Sequence, residues 1–239
     1  MISIKQTTKE VVLLCGGLGT RLQATVGNTP KALAPVGDKP FLYWLFQYLE
    51  QQNFTNIVLS LGHLSAAVVE YCHANYAHLP LQYSIENQPL GTGGAIKQSL
   101  SLIKNNSFFV MNGDTLFNID TEGLMNNAKA WNTDISIALK NKKNFERYGT
   151  VELSAVQRIK AFHEKKFTEE GLINGGVYLL EKNVFDSFEE TPVFSFEKDI
   201  LEIKLNDYKI HGFEFDSYFI DIGVPDDYAK AQIEIPSLF

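Results

Sequence analysis

Through residues 1–140, short aliphatic and β-branched runs alternate with segments of helical period, and this alternation restricts the chain to layered α/β architectures. The runs Val11 to Cys15, Ile57 to Leu61, Leu81 to Glu86, Phe108 to Asn112 and Ile135 to Leu139 read as strands. Between them, Phe41 to Gln52, Ser65 to Asn75, a segment opening after Thr92, and Glu122 to Trp131 read as helices. Such an order is that of repeated βαβ units around a parallel sheet.

From Tyr148 onward strands become denser: Thr150 to Leu153, Ile159 to Phe162, Leu172 to Leu179, Lys209 to Phe215 and Phe219 to Ile222, with a helix expected from Glu197 to Leu205. Asp226 and Asp227 suit the N-terminus of a final helix ending near Glu234. The expected fold is α/β and Rossmann-like, a mixed, mostly parallel central sheet flanked by helices, completed by a strand-rich lobe. No internal repeat, low-complexity tract or Pro-rich linker divides it, so 1–239 is expected to be one domain.

The chain's 45% hydrophobic and 21% charged residues can fill a core without disulfides or metals. Its 21 Lys and Arg against 28 Asp and Glu give a net charge of −7, which argues against nucleic acid or an anionic membrane held by bulk charge. Cys15 and Cys72 form no C-x-x-C pair, and no apolar stretch has the length of a signal peptide core or a membrane span. A reduced, cytoplasmic protein is the expectation.

The segment GGLGTRL, Gly16 to Leu22, directly follows the first strand, where glycines let backbone N–H groups wrap an anion. It is not a P-loop, because Thr20 and Arg21 follow Gly19 in place of Lys-Ser/Thr. Nor is it a dinucleotide fingerprint, because Leu22 stands where a small residue is needed. Arg21 with Pro30 and Lys31 would present two cations to one place, a combination suited to a triphosphate. PLGTGGA, Pro89 to Ala95, sets three glycines at a strand-to-helix junction. Close approach to a flat or anionic ligand explains them, and so does a turn with Thr92 as helix cap.

Asp114 in NGDT and Asp221 in FIDIG each end an apolar strand, the position where α/β sheets bind ligands. Two such carboxylates could hold Mg²⁺ and leave its other positions to water and phosphate oxygens. The five histidines are scattered, so no transition-metal cluster competes. Phe162-His163-Glu164-Lys165 would set an acid and a base near a substrate, or form a solvated face.

In order along the chain, GGLGTRL, PK, LGTGGA, NGDT, RYGTV, FHEKK, NGGVYLL, FSFEKD and FIDIGVPDDY resemble the sugar-1-phosphate nucleotidyltransferase family over nearly the whole length. The resemblance implies that Cys15, Gly16, Gly17, Gly19, Thr20, Gly91 and Thr92 bind the nucleotide, with Arg21, Lys31 and Lys165 stabilising charge during transfer. It implies Mg²⁺ on Asp114 and Asp221, and a sugar-phosphate pocket made by Asn112, Tyr148, Gly149, Glu164, Asn174 and Gly175. Residues 1–140 would mainly hold the nucleotide and 141–239 the sugar phosphate. Cys15, where Ala is frequent, and Gln23-Ala24, where Arg-Pro often follows, depart from the family's pattern.

Within the family the resemblance is to members that transfer a guanylyl group to a heptose or mannose 1-phosphate, supplying surface polysaccharide precursors. Glu86, the position that faces the base in relatives, supports guanine: a carboxylate offers acceptors to both N1–H and N2–H₂. The expected substrates are therefore GTP and a sugar 1-phosphate, with homo-oligomerisation left open. A uridylyl- or thymidylyltransferase, which a panel of nucleotides would separate, is the same-class rival. A glycosyltransferase would want D-x-D where NGDT has one Asp, and a non-catalytic sensor could dispense with Arg21, Lys31 and the paired aspartates.

Overall fold

The computed structural model describes residues 8–17, 22, 26, 27, 29–188 and 191–239. Strand β1 (Lys9–Leu14) is central, and its run of buried residues divides between two cores. Val11 and Leu13 face one apolar cluster and Val12 the other, so the sheet is covered on both sides and alternation of polar residues is absent. A turn of 3₁₀ helix at Lys31–Leu33 leads into a small hairpin, β2 (Pro35–Val36) and β3 (Lys39–Pro40), and then helix α1 (Phe41–Gln51). Next come β4 (Phe54–Leu61), α2 (Ser65–Asn75), β5 (Leu81–Ile85), α3 (Gly91–Ser99) and β6 (Ser107–Asn112). β1 pairs parallel with both β4 and β6, and β4 with β5, as crossover helices require.

The second half comprises β7 (Thr115–Phe117), α4 (Thr121–Trp131), β8 (Ile135–Phe145), β9 (Thr150–Leu153), β10 (Ile159–His163), β11 (Thr168–Glu181), β12 (Ile210–Glu214), β13 (Phe219–Asp221) and α5 (Pro225–Glu234). β11 joins the sheet antiparallel to β6, with β8 on its other edge and β12 parallel to β8. β9 and β10 extend the sheet beside the first half of β11. The mixed, mostly parallel sheet and the added strand-rich lobe agree with the expectation.

Three local features differ from the sequence reading. β8 and β11 run well past their apolar stretches, because their polar halves pair with each other, Lys143 opposite Glu170 with an ion pair at 3.6 Å. Cross-strand pairing of this kind carries no hydrophobic signature. The helix expected at Glu197 to Leu205 is a π-helical turn, Phe196–Glu202, in which Ile203 N–H reaches back five residues to Lys198 C=O. Finally, the short strand β7 pairs antiparallel with β13, and this small ladder sets up the site.

Candidate active site

The β7–β13 ladder places Thr115 opposite Asp221, and the Ile222 N–H donates to the Asp114 carbonyl at 3.0 Å. Two carboxylates far apart in sequence are thereby held side by side. Each is anchored through one oxygen: Asp114 Oδ1 accepts from Thr115 Oγ1 at 3.0 Å, and Asp221 Oδ1 from Gly223 N–H at 2.7 Å. Pro30, at φ −52°, starts the 3₁₀ turn that carries Lys31. The Lys31 ammonium lies 2.5 Å from Asp114 Oδ2 and 4.0 Å from Asp221 Oδ1, on a side chain only 14% exposed.

Two cavities border this cluster. The larger, about 740 Å³, lies over the carboxyl ends of β1, β4 and β5 and is lined by Gly16, Gly17, Glu86, Gly91, Thr92, Asn112 and Asp114. Glu86 Oε2 accepts from Leu90 N–H at 3.1 Å, which turns the carboxylate toward Gly16. Burial raises its pKa above the usual carboxylate value, and the Leu90 bond opposes that only in part. Asn112, expected with the sugar phosphate, stands in the wall of this larger cavity.

The glycines of PLGTGGA make room for packing at all three positions, Gly91 against the Phe194 carbonyl at a φ of +71°. A Cβ on Gly93 would overlap the Phe194 ring, and one on Gly94 the Pro192 carbonyl. The N–H groups of Gly93 and Gly94 are both taken by the Phe194 carbonyl, at 3.0 and 3.3 Å. Thr92 is not the helix cap: its hydroxyl donates to Glu197 Oε2 at 2.6 Å and accepts from Phe196 N–H at 2.9 Å. The segment 192–197 thus closes over the start of α3, and brings Glu197, which sequence reasoning did not single out, into the cavity wall. FSFEKD contained that residue; its role in packing had no local signal.

The smaller cavity, about 190 Å³, lies on the other side of the carboxylate pair and is lined by Arg147, Tyr148, Gly149, Lys165, Asn174 and Asp221. A bulge in β11 between Asn174 and Tyr178 turns the Asn174 side chain, which donates to Tyr178 Oη at 2.9 Å and accepts from Gly176 N–H at 3.0 Å. Arg147 is the residue sequence reasoning missed here, although it directly precedes Tyr148 in RYGTV. Glu164 is exposed and Gly175 is buried beneath Phe117; neither is among the residues lining the two cavities. Cys15 is a half-buried free cysteine, its pKa pushed up by desolvation and by Asp114, and it ties β1 to β4 through its N–H to the Ser60 carbonyl. Gly19, Thr20, Arg21, Gln23 and Ala24 lie outside the described residues.

No group of three or more His, Cys, Asp or Glu gathers among the described residues. Two carboxylates facing a cation nevertheless fit Mg²⁺, which favours one or two carboxylates with water and substrate phosphates over a full protein cage. No helix among the described residues is long and apolar enough to cross a membrane.

A strand-end carboxylate pair bridged by lysine is set between one large and one small cavity at the open end of an α/β sheet, a charged centre of the kind an enzyme active site presents. The chain belongs to the nucleotidyl transferase family, which it matches over residues 10–237. A D-glycero-α-D-manno-heptose 1-phosphate guanylyltransferase of Aneurinibacillus thermoaerophilus is 43% identical over 226 residues, covering 95% of this chain and 98% of that one. One of the same description from Campylobacter jejuni is 44% identical over 220 residues, covering 92% and 96%. The crystal structure of HddC from Yersinia pseudotuberculosis complexed with GMP-PN matches with a TM-score of 0.86 at 34% identity, over 94% of this chain and 98% of that one.

Proposed function

We propose that this protein is a D-glycero-α-D-manno-heptose 1-phosphate guanylyltransferase, forming a GDP-heptose and pyrophosphate from GTP and the heptose 1-phosphate. The observation that carries the reading is the Asp114–Lys31–Asp221 cluster between two cavities, in a chain similar over almost its whole length to guanylyltransferases of this substrate. In the reaction a phosphate oxygen of the sugar 1-phosphate bonds to the α-phosphorus of GTP as the bond from that phosphorus to the β-phosphate bridging oxygen breaks. The electron pair leaves with pyrophosphate. The nucleophile is already an anion, so no base is required, and the protein's work is to position two anions and neutralise charge as it develops.

In this reading GTP fills the larger cavity, with Gly16, Gly17, Gly91 and Thr92 at its phosphates and sugar, and Glu86 at its base. Lys31 stabilises charge on the triphosphate, joined by Arg21. The sugar phosphate fills the smaller cavity against Tyr148, Gly149, Lys165 and Asn174. Residues 1–140 therefore supply most of the nucleotide site and 141–239 most of the sugar-phosphate site, with Glu197 the exception. Asp114 and Asp221 would hold Mg²⁺, which when bound supplies positive charge to the phosphates. Two free cysteines support a reducing, cytoplasmic setting.

The test is pyrophosphate release from a panel of sugar 1-phosphates crossed with GTP, ATP, CTP, UTP and dTTP. Highest kcat/KM for GTP with the heptose 1-phosphate is the expected result. Preference for UTP or dTTP would move the protein to another branch of the family.

A further inference from the structure

Around the smaller cavity cations outnumber carboxylates. Arg147 and Lys165 line it together with Asp221. Lys142 holds its ammonium 5.0 Å from the centre of the Tyr148 ring and 5.1 Å from that of Phe219. Lys230 lies 3.6 Å from Asp227 Oδ1. Against these four cations stand Asp227, whose single charge is shared by Arg147 and Lys230, and Asp221, which also faces Lys31. Burial lowers the pKa of Lys142, with repulsion from Arg147 and Lys230 acting the same way against the attraction of Asp227 and Asp221. A cationic surplus of this kind, partly withdrawn from water at Lys142, favours the approach of an anion.

Among these cations Arg147 is held in place at the cavity. Its Nη2 bonds Oδ2 of Asp227, a carboxylate 10% exposed in the first turn of α5. One edge of the guanidinium is thereby fixed, while its side chain remains 40% exposed at the cavity. A guanidinium carries five N–H donors, and Asp227 is its only hydrogen-bond partner among the described residues. The remaining donors match the oxygens of a phosphate two at a time.

We propose that Arg147 binds the phosphate of the sugar 1-phosphate, opposite Lys165, and that Asp227 is the positioning residue that holds the guanidinium in place. This rests on the transferase reading above. Lys31 already stands at the carboxylate pair for the nucleotide's phosphates, and the volume of about 190 Å³ is below the usual range for a whole nucleotide-sized ligand. The anion is therefore the phosphate monoester of the acceptor substrate.

Two measurements on the full chain decide it. In steady-state kinetics with GTP and heptose 1-phosphate varied separately, Arg147→Gln should raise KM for the sugar phosphate by about tenfold or more, the loss expected for a charged hydrogen bond, with KM for GTP little changed. Arg147→Lys should restore part of the loss. Asp227→Asn, which keeps the guanidinium but loosens it, should raise the same KM by less. In the second measurement, methyl phosphate titrated into ¹⁵N-labelled wild-type protein should shift the Arg147 Nε–H resonance, and inorganic phosphate should compete with the sugar phosphate less well in Arg147→Gln. If Arg147→Gln lowers only the melting temperature and leaves both KM values unchanged, the pair is a staple between the loop and α5 and the proposal is overturned. Should Arg147→Gln fail to fold, the KM split in Arg147→Lys decides in its place. A wild type that releases no pyrophosphate overturns the transferase reading instead. The methyl phosphate titration still judges Arg147 in that case, and an unshifted resonance sinks it.

Discussion

The Lys31 ammonium is 2.5 Å from Oδ2 of Asp114, and the two side chains meet where the larger and smaller cavities adjoin. A cation in that place stands beside both phosphate groups that must come together. Replacing Lys31 with Ala is expected to lower kcat by about 10²-fold with a modest change in KM for GTP, since its charge matters most as the pyrophosphate leaves. Wild-type kcat in the variant would reduce Lys31 to a counter-ion for Asp114.

Divalent metal dependence follows from the carboxylate pair. Asp114→Ala and Asp221→Ala are each expected to abolish turnover while circular dichroism shows the fold retained, and excess chelator should silence the wild type. Full activity in chelator would refute a metal at this pair.

Glu86 should set base preference, and its pKa makes that preference depend on pH. As a carboxylate it accepts from both guanine donors; Glu86→Gln turns one acceptor into a donor and should cut the GTP-over-UTP ratio of kcat/KM by about 1–3 kcal/mol. Because burial raises the Glu86 pKa, protonation sets in at a higher pH than for an exposed glutamate. The wild-type ratio should therefore fall as pH is lowered through the weakly acid range, and that of Glu86→Gln should stay flat. A wild-type ratio insensitive to both changes would remove Glu86 from base recognition.

The α3 glycines yield a stability prediction. Gly94→Ala puts a methyl group into the Pro192 carbonyl, and the segment cannot yield easily because Phe194 stacks on Phe188 at 4.3 Å between ring centres. A loss of about 1–3 kcal/mol is expected, at roughly 2–4 °C in melting temperature per kcal/mol. KM for GTP should rise as well, because the Thr92–Glu197 contact in the cavity wall is displaced. Unchanged melting would mean that the segment moves freely.

Much of this was legible in the residues themselves. Uninterrupted apolar runs such as Val11 to Leu13 mark strands buried on both faces, and the ordered motifs from GGLGTRL to FIDIGVPDDY carry the family, because these are local patterns of side-chain type and spacing. Lys31, Glu86, Asp114, Asp221, Tyr148 and Lys165 could be named as site candidates for the same reason. What only the tertiary structure decided are the relations between distant segments. β13 is the strand expected from Phe219, but its partner β7 is too short to register as a pattern, and the pairing of the two is what sets Asp114 beside Asp221. Gly93 and Gly94 look like ligand-approach glycines in the chain and prove to make room for Phe194 and Pro192, because a glycine's neighbour across space leaves no trace in its own sequence. Arg147 and Asp227 likewise read as one motif residue and one helix-start acid until the fold joins them. Periodicity and motif spacing report on short-range geometry; which charge meets which is settled by long-range packing, where the low dielectric between buried groups makes each pairing count.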